Sequence, residues 1–160
     1  MSKRTCGNCT KCCEGWLDGE ALGYKFYAGR PCHFIAIGKG CSVYSKRPKE
    51  PCQSYKCAWL LDENIPEWMK PSDVNSILDY RTTSNGIPYM SLIEAGSTLS
   101  SQVLTWVIQA ALKNKANLIW RINGGMHWIG SPEFIQAIQE TPKDNSLHLE
   151  PSLPPQVSEE

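Results

Sequence analysis

Eight cysteines lie between positions 6 and 57, and none follows them. They are Cys6, Cys9, Cys12, Cys13, Cys32, Cys41, Cys52 and Cys57. A Cys-x2-Cys step closes a tight turn that brings two sulfurs within about 4 Å, so both reach one metal centre. Zinc accepts four sulfurs tetrahedrally at about 2.3 Å. A [4Fe–4S] cluster equally accepts three closely spaced thiolates plus a remote one. Cys12 and Cys13 are neighbours whose side chains diverge. They are expected either to serve two different centres or to leave one reactive thiol. Eight thiols match two four-sulfur sites, but spacing alone does not assign the pairing. The competing arrangement, four disulfides, needs an oxidising compartment, and steps this tight would strain the bridges.

The other chemically capable residues form weaker patterns. His33 follows Cys32 and could supply a nitrogen ligand, yet eight sulfurs already suffice, so it is read as lying outside the ligand set or at the surface. His127 and His148 form no pattern with cysteine or carboxylate. Tyr44 and Arg47-Pro48 could donate hydrogen bonds to thiolates, or build the turn that sets Cys41 against Cys52; the turn is preferred. Asp18 and Glu20 are read as solvated loop charges rather than acid/base groups. Trp59, Trp68, Trp106, Trp120 and Trp128 are read as packing residues rather than stacking platforms. Gly38-Lys39-Gly40 is too short to cradle a phosphate and reads as a turn. The chain has no Ser-His-Asp order and no zinc-protease motif, so no catalytic residue is assigned.

Taken together, Cys6-Gly7-Asn8-Cys9-Thr10-Lys11-Cys12-Cys13, Pro31-Cys32-His33-Phe34, Gly40-Cys41-Ser42-Val43-Tyr44, Arg47-Pro48 before Cys52, and Tyr55-Lys56-Cys57 resemble the CxxCxxCC, or YkgJ-type, family of zinc- or iron-chelating cysteine-cluster proteins. The resemblance covers residues 6–60, and all eight cysteines find counterparts. It implies a metal centre held by these cysteines. Members of that family are often labelled iron–sulfur proteins or oxidoreductases, so it implies no single reaction.

Charge follows the same division of the chain. Residues 1–60 hold ten Lys/Arg against four Asp/Glu, a net +6, and residues 61–160 hold six against twelve, a net −6. A basic half could be a nucleic-acid patch. The preferred reading is local: a four-thiolate site around a divalent ion carries a charge of about −2, and nearby cations offset it. A nucleic-acid partner is therefore possible but unsupported, and the sequence names no protein partner.

The elements that must position these residues fall into three stretches. Residues 1–62 are expected to wrap irregularly around metal, because they have few large apolar residues for a core of their own. Residues 63–140 are expected to form a small α+β unit packed on that wrap. There, Ile77–Thr83 and Ile87–Glu94 flank the hairpin signal Ser84-Asn85-Gly86. Ser100 opens a helix to about Asn114 whose buried side is Val103, Leu104, Val107, Ile108, Ala111 and Leu112. Asn117–Ile122 and Met126–Ile129 flank Asn123-Gly124-Gly125, and Ser131-Pro132 starts a last helix to Glu140. The order ββαββα predicts a small antiparallel sheet with two helices. Residues 141–160, with four prolines and no aromatic residue, read as a disordered tail.

No apolar run reaches the roughly 18 residues a membrane span needs, and the basic start has no apolar stretch behind it, so the expected compartment is the cytoplasm. The function expected is metal binding, as iron–sulfur or Zn2+ in one or two centres, with redox or metal-dependent catalysis as its use. The alternative is a zinc-folded module that contacts protein or nucleic acid.

Overall fold

A computed structural model describes residues 3–27 and 29–140 of the chain; the stretch read as a tail, with His148, lies outside them. The chain is α+β, with two small antiparallel hairpins preceding a four-stranded sheet. No helix among the described residues is long and apolar enough to cross a membrane.

The N-terminal stretch folds as short turns and two hairpins. Strands β1 (Gly19–Ala21) and β2 (Tyr24–Phe26) pair through a two-residue turn. Leu22 and Gly23 both take positive φ there, the conformation such a turn requires. Strands β3 (Ile35–Ala36) and β4 (Gly40–Cys41) form the second hairpin, so Gly38 and Lys39 lie in a turn as expected while Gly40 begins β4. That turn docks on the first cysteine loop, with Gly38 N donating to Thr10 Oγ1 at 3.0 Å. Two short helices follow, α1 (Ala58–Leu61) and α2 (Pro71–Val74). The Arg4 guanidinium donates to the carbonyls of Trp59, Asp62 and Ile65 at 2.8, 3.1 and 2.7 Å. It thereby clamps the C-terminal end of α1 to the turn that follows it.

The sheet is built from β5 (Ser76–Thr82), β6 (Pro88–Glu94), β7 (Leu118–Ile122) and β8 (Gly125–Ile129), in that spatial order. Each hairpin is antiparallel, but β6 and β7 pair in parallel, Ser91 opposite Ile119. The antiparallel sheet expected from the sequence is thus corrected to a mixed one. Helix α3 (Ser101–Lys113) returns the chain to the starting edge, so the second hairpin enters in the direction of β6. Its cap is the one expected: Ser100 Oγ accepts from Val103 N at 3.1 Å. Val103, Val107 and Ala111 are buried, whereas Leu112, expected in the core, points into solvent. Helix α4 (Pro132–Glu140) is capped by Ser131 Oγ and seats Phe134 against Tyr89 and Ile119. Asn117 ties this corner together, its side chain donating to Pro88 O and accepting from Ser131 N. Gly130 must be glycine here, because a Cβ would lie 2.4 Å from Asn117 Oδ1.

One apolar cluster joins the two parts of the chain. It contains Leu17, Cys57 and Trp59 from the cysteine-rich part and Ile77, Leu92, Val103 and Leu118 from the sheet and α3. Of the tryptophans read as packing residues, Trp59 is buried and Trp106 and Trp120 pack partly on this core. Trp68 and Trp128 are corrections, since both lie at the surface.

Candidate metal centre

All eight cysteines are free thiols. All eight line one cavity of about 180 Å³ between the N-terminal turns and the sheet. Arg47, Tyr44, Tyr55, Trp59 and Arg81 share its walls, and Asp18 lies at its rim.

Each cysteine arrives by a different local device. Cys9 N donates to Cys6 O at 2.8 Å, closing the first Cys-x2-Cys turn. Cys12 and Cys13 sit on a short helical turn, Lys11–Cys13, held by Cys13 N donating to Thr10 O. Cys32 N donates to Cys13 O at 2.8 Å, which brings the distant chain alongside. Cys41 ends β4 opposite Ile35. Cys52 lies in the turn Lys49–Gln53, and Cys57 is the residue before α1.

Electrostatics in the cavity are dominated by burial and by thiols crowding one another, with Arg47 the cation acting on Cys6 and Cys52. Burial pushes the Cys6 and Cys9 thiols up, with Cys57 adding to both. Cys13 is pushed well up, first by burial and then by Cys32, Cys6, Cys52 and Cys41. Burial also raises Cys52, with Cys32 and Cys41 adding and Arg47 opposing. Cys12 and Cys57 interact directly, raising the Cys12 thiol and lowering that of Cys57. A closed ring of thiols raises its own affinity for protons, and a cation inside it would reverse that.

Arg47 lies with its guanidinium 3.8 Å from the Tyr44 ring centre and donates to Tyr44 O at 3.3 Å. Tyr44 Oη accepts from Cys6 N at 3.4 Å. Both the turn-forming and the thiolate-facing roles read from Tyr44 and Arg47 thus have contacts behind them. Arg47 Nε and Trp59 Nε1, both on cavity-lining residues, are buried and have no acceptor among the described residues. Buried N–H donors are rarely left so, and an acceptor bound in the cavity would supply what they lack.

Among the described residues, no three Cys, His, Asp or Glu side chains converge closely enough to hold a single metal ion. The thiols surround a volume rather than a point. His33 does not line the cavity; it stacks on Tyr24 with ring centres 4.0 Å apart. His127 stacks on Trp120 in the sheet, and Glu20 is exposed on β1.

Sequence patterns did not reveal the polar group beside the cavity, where the lining residues Tyr55 and Arg81 hold Asp79, itself outside the lining. Asp79 is buried at 3 % exposure on β5, where Arg81 donates to both its carboxylate oxygens at 3.0 and 2.9 Å. Tyr55 Oη donates to Asp79 Oδ2 at 3.2 Å and lies 4.0 Å from Cys12 Sγ. Burial raises both the Asp79 carboxyl and the Tyr55 hydroxyl, with Arg81 opposing. The available signal was the Asp79-x-Arg81 alternation, which puts both charges on one face of a strand.

Set against family models, known proteins and solved structures, the chain matches none of them. The likeness to CxxCxxCC proteins rests on the residues quoted for it.

Proposed function

We propose that this chain is a metal-binding protein whose eight cysteines hold iron–sulfur in one or two centres. The observation that carries the reading is that all eight thiols, from five separate stretches of chain, line one cavity. The donor set fits such a group. The thiols are soft ligands, Arg47 stands beside Cys6 and Cys52 as a countercharge, and two buried N–H donors lack an acceptor.

The shape of the site favours iron–sulfur over zinc. A four-thiolate zinc site packs its sulfurs about 3.8 Å apart around one ion and encloses no free space. Here the thiols surround about 180 Å³, against the roughly 10–15 Å³ of such space that admits one water. A centre containing several irons and sulfides fills that space. When bound, such a centre supplies one-electron transfer or an open iron site. The chain's own part is to exclude water with Trp59, Leu60 and Phe26, to hold the thiols, and to offer N–H donors from Arg47 and Trp59. Membership of the CxxCxxCC family, a cytoplasmic setting and a redox use belong to the same proposal.

Elemental analysis with a sulfide assay, on protein purified without oxygen, tests it. Brown protein with iron and acid-labile sulfide is the expected result. Colourless protein with zinc and no sulfide replaces the iron–sulfur reading with a zinc-folded module, and protein with neither overturns metal binding altogether.

A further inference from the structure

The eight thiols are not equivalent around the cavity. Cys12 packs in the main apolar cluster together with Cys57. Cys13, the next residue, packs in a separate cluster with Cys32 and Cys52, beside Phe26. Successive residues of the tight turn Lys11–Cys13 point about 120° apart, so the chain itself sends the two sulfurs to different places.

Other contacts extend each side. Cys13 and Cys32 are tied by their backbone hydrogen bond. Cys41 pairs across the hairpin with Ile35, a member of the Cys13–Cys32 cluster. Cys32 and then Cys41 are the thiols that act most strongly on Cys52, which packs with Cys32. On the opposite side, Cys6 and Cys9 share one turn, and both feel Cys57. Of the two orphaned donors, Trp59 belongs to the Cys57 cluster, while Arg47 acts on both Cys6 and Cys52, where the two sides adjoin. The two sides adjoin at Cys6, which Cys13 and Cys52 also feel.

We infer that the cavity holds two centres divided at the Cys12–Cys13 peptide, one on Cys6, Cys9, Cys12 and Cys57, the other on Cys13, Cys32, Cys41 and Cys52. This rests on the metal-binding reading and assigns the pairing that spacing leaves open. The vicinal cysteines then have a purpose: a single peptide unit fixes one centre against the other. With Cys6 at the junction, the centres are neighbours in one enclosed space.

The test uses the full chain, purified without oxygen, with each of Cys12, Cys57, Cys13 and Cys32 replaced by Ser. Each single variant is expected to keep half of the wild-type metal. Cys12→Ser and Cys57→Ser should leave one residual spectrum, and Cys13→Ser and Cys32→Ser another. The double variant C12S/C57S should keep the same half, and C12S/C13S should lose all. Where a variant fails to fold, wild-type protein decides: metal-free chain is titrated with Zn2+ and alkylated, and mass spectrometry maps the protected cysteines. Protection is expected in two groups of four with the stated membership. Wild-type protein with metal whose eight cysteines gain protection in one group, or in differently composed groups, overturns the division alone. Wild-type protein that neither carries metal nor takes up Zn2+ overturns the metal reading beneath it.

Discussion

The sheet with its two longer helices and the cysteine-rich stretch bury themselves in different ways. The sheet part has Phe134, Ile77, Leu92, Leu118, Val103 and Val107 fully enclosed, in layers that need nothing but side chains. The stretch before residue 57 has its own buried cluster of only Ala21, Phe26 and Cys32, with Cys13 and Cys52 against it. Its strands are two or three residues long. At about 25 cal/mol per Å² of buried apolar surface, so small a cluster cannot offset the ordering of some fifty residues at about 1–2 kcal/mol each. That stretch also leans on the shared core through Leu17, Cys57 and Trp59, and on the proposed reading a group bound by the thiols supplies the rest. One part folds by packing, and the other is expected to fold by ligation.

The comparison yields outcomes that separate the two parts. The largest effect is expected from the ligands. Cys9→Ser or Cys52→Ser should lower the metal content and open to protease the part of residues 3–57 around the lost centre, because apparent binding energies of structural metal reach about 10–16 kcal/mol and, on the proposed reading, are folding energy. Metal analysis and limited proteolysis check this, and normal values in both variants would refute the ligand assignment. Phe134→Ala comes next. It removes a side chain with no exposed surface and should cost about 3–5 kcal/mol in thermal unfolding. Metal per folded chain should stay unchanged, since Phe134 lies in the α4 corner.

Tyr55→Phe is smaller, at about 1–3 kcal/mol, because the buried Asp79 carboxylate loses one of its donors. Melting of Tyr55→Phe beside Asp79→Asn and the double variant measures the coupling; additive losses would show that the pair does not interact. A gentler effect is expected from pH. Cys6, Cys9, Cys12, Cys13 and Cys52 are raised above the ordinary thiol value of 9.0 in the folded chain. Folded metal-free protein therefore holds more protons than unfolded protein above about pH 9, and its stability should fall as pH rises through that range. Metal-loaded protein should respond in the opposite sense, releasing metal on acidification as protons compete for sulfur. Thermal melts across pH, with and without metal, check both directions. The smallest change is expected at Leu112→Gln, within about 0.5 kcal/mol, because that leucine is 65 % exposed.

What the sequence revealed depended on how local the cause was. Both hairpins, the Ser100 cap and the Ser131 cap were legible because each rests on a few adjacent residues. The parallel pairing of β6 with β7 was not, since it depends on where α3 returns the chain. Leu112 has the spacing of a buried residue, but the core side of α3 is narrower than that spacing suggests, with only Val103, Val107 and Ala111 fully enclosed. Spacing gave the cysteines as a set. It could not give their neighbours, because Cys32, Cys41 and Cys52 are brought to Cys13 by a hairpin and a backbone hydrogen bond distant in sequence. Asp79 and Arg81 passed as ordinary strand charges, for nothing local told that Tyr55 would cover them.

Hydrogen exchange before and after metal removal reads both parts of the chain at once. Stripping the metal should abolish amide protection in residues 3–57, while β5–β8 and α3 keep theirs. Equal protection of residues 3–57 in the stripped and untreated protein would contradict the account, since the thiols would then enclose a cavity that the fold does not need filled.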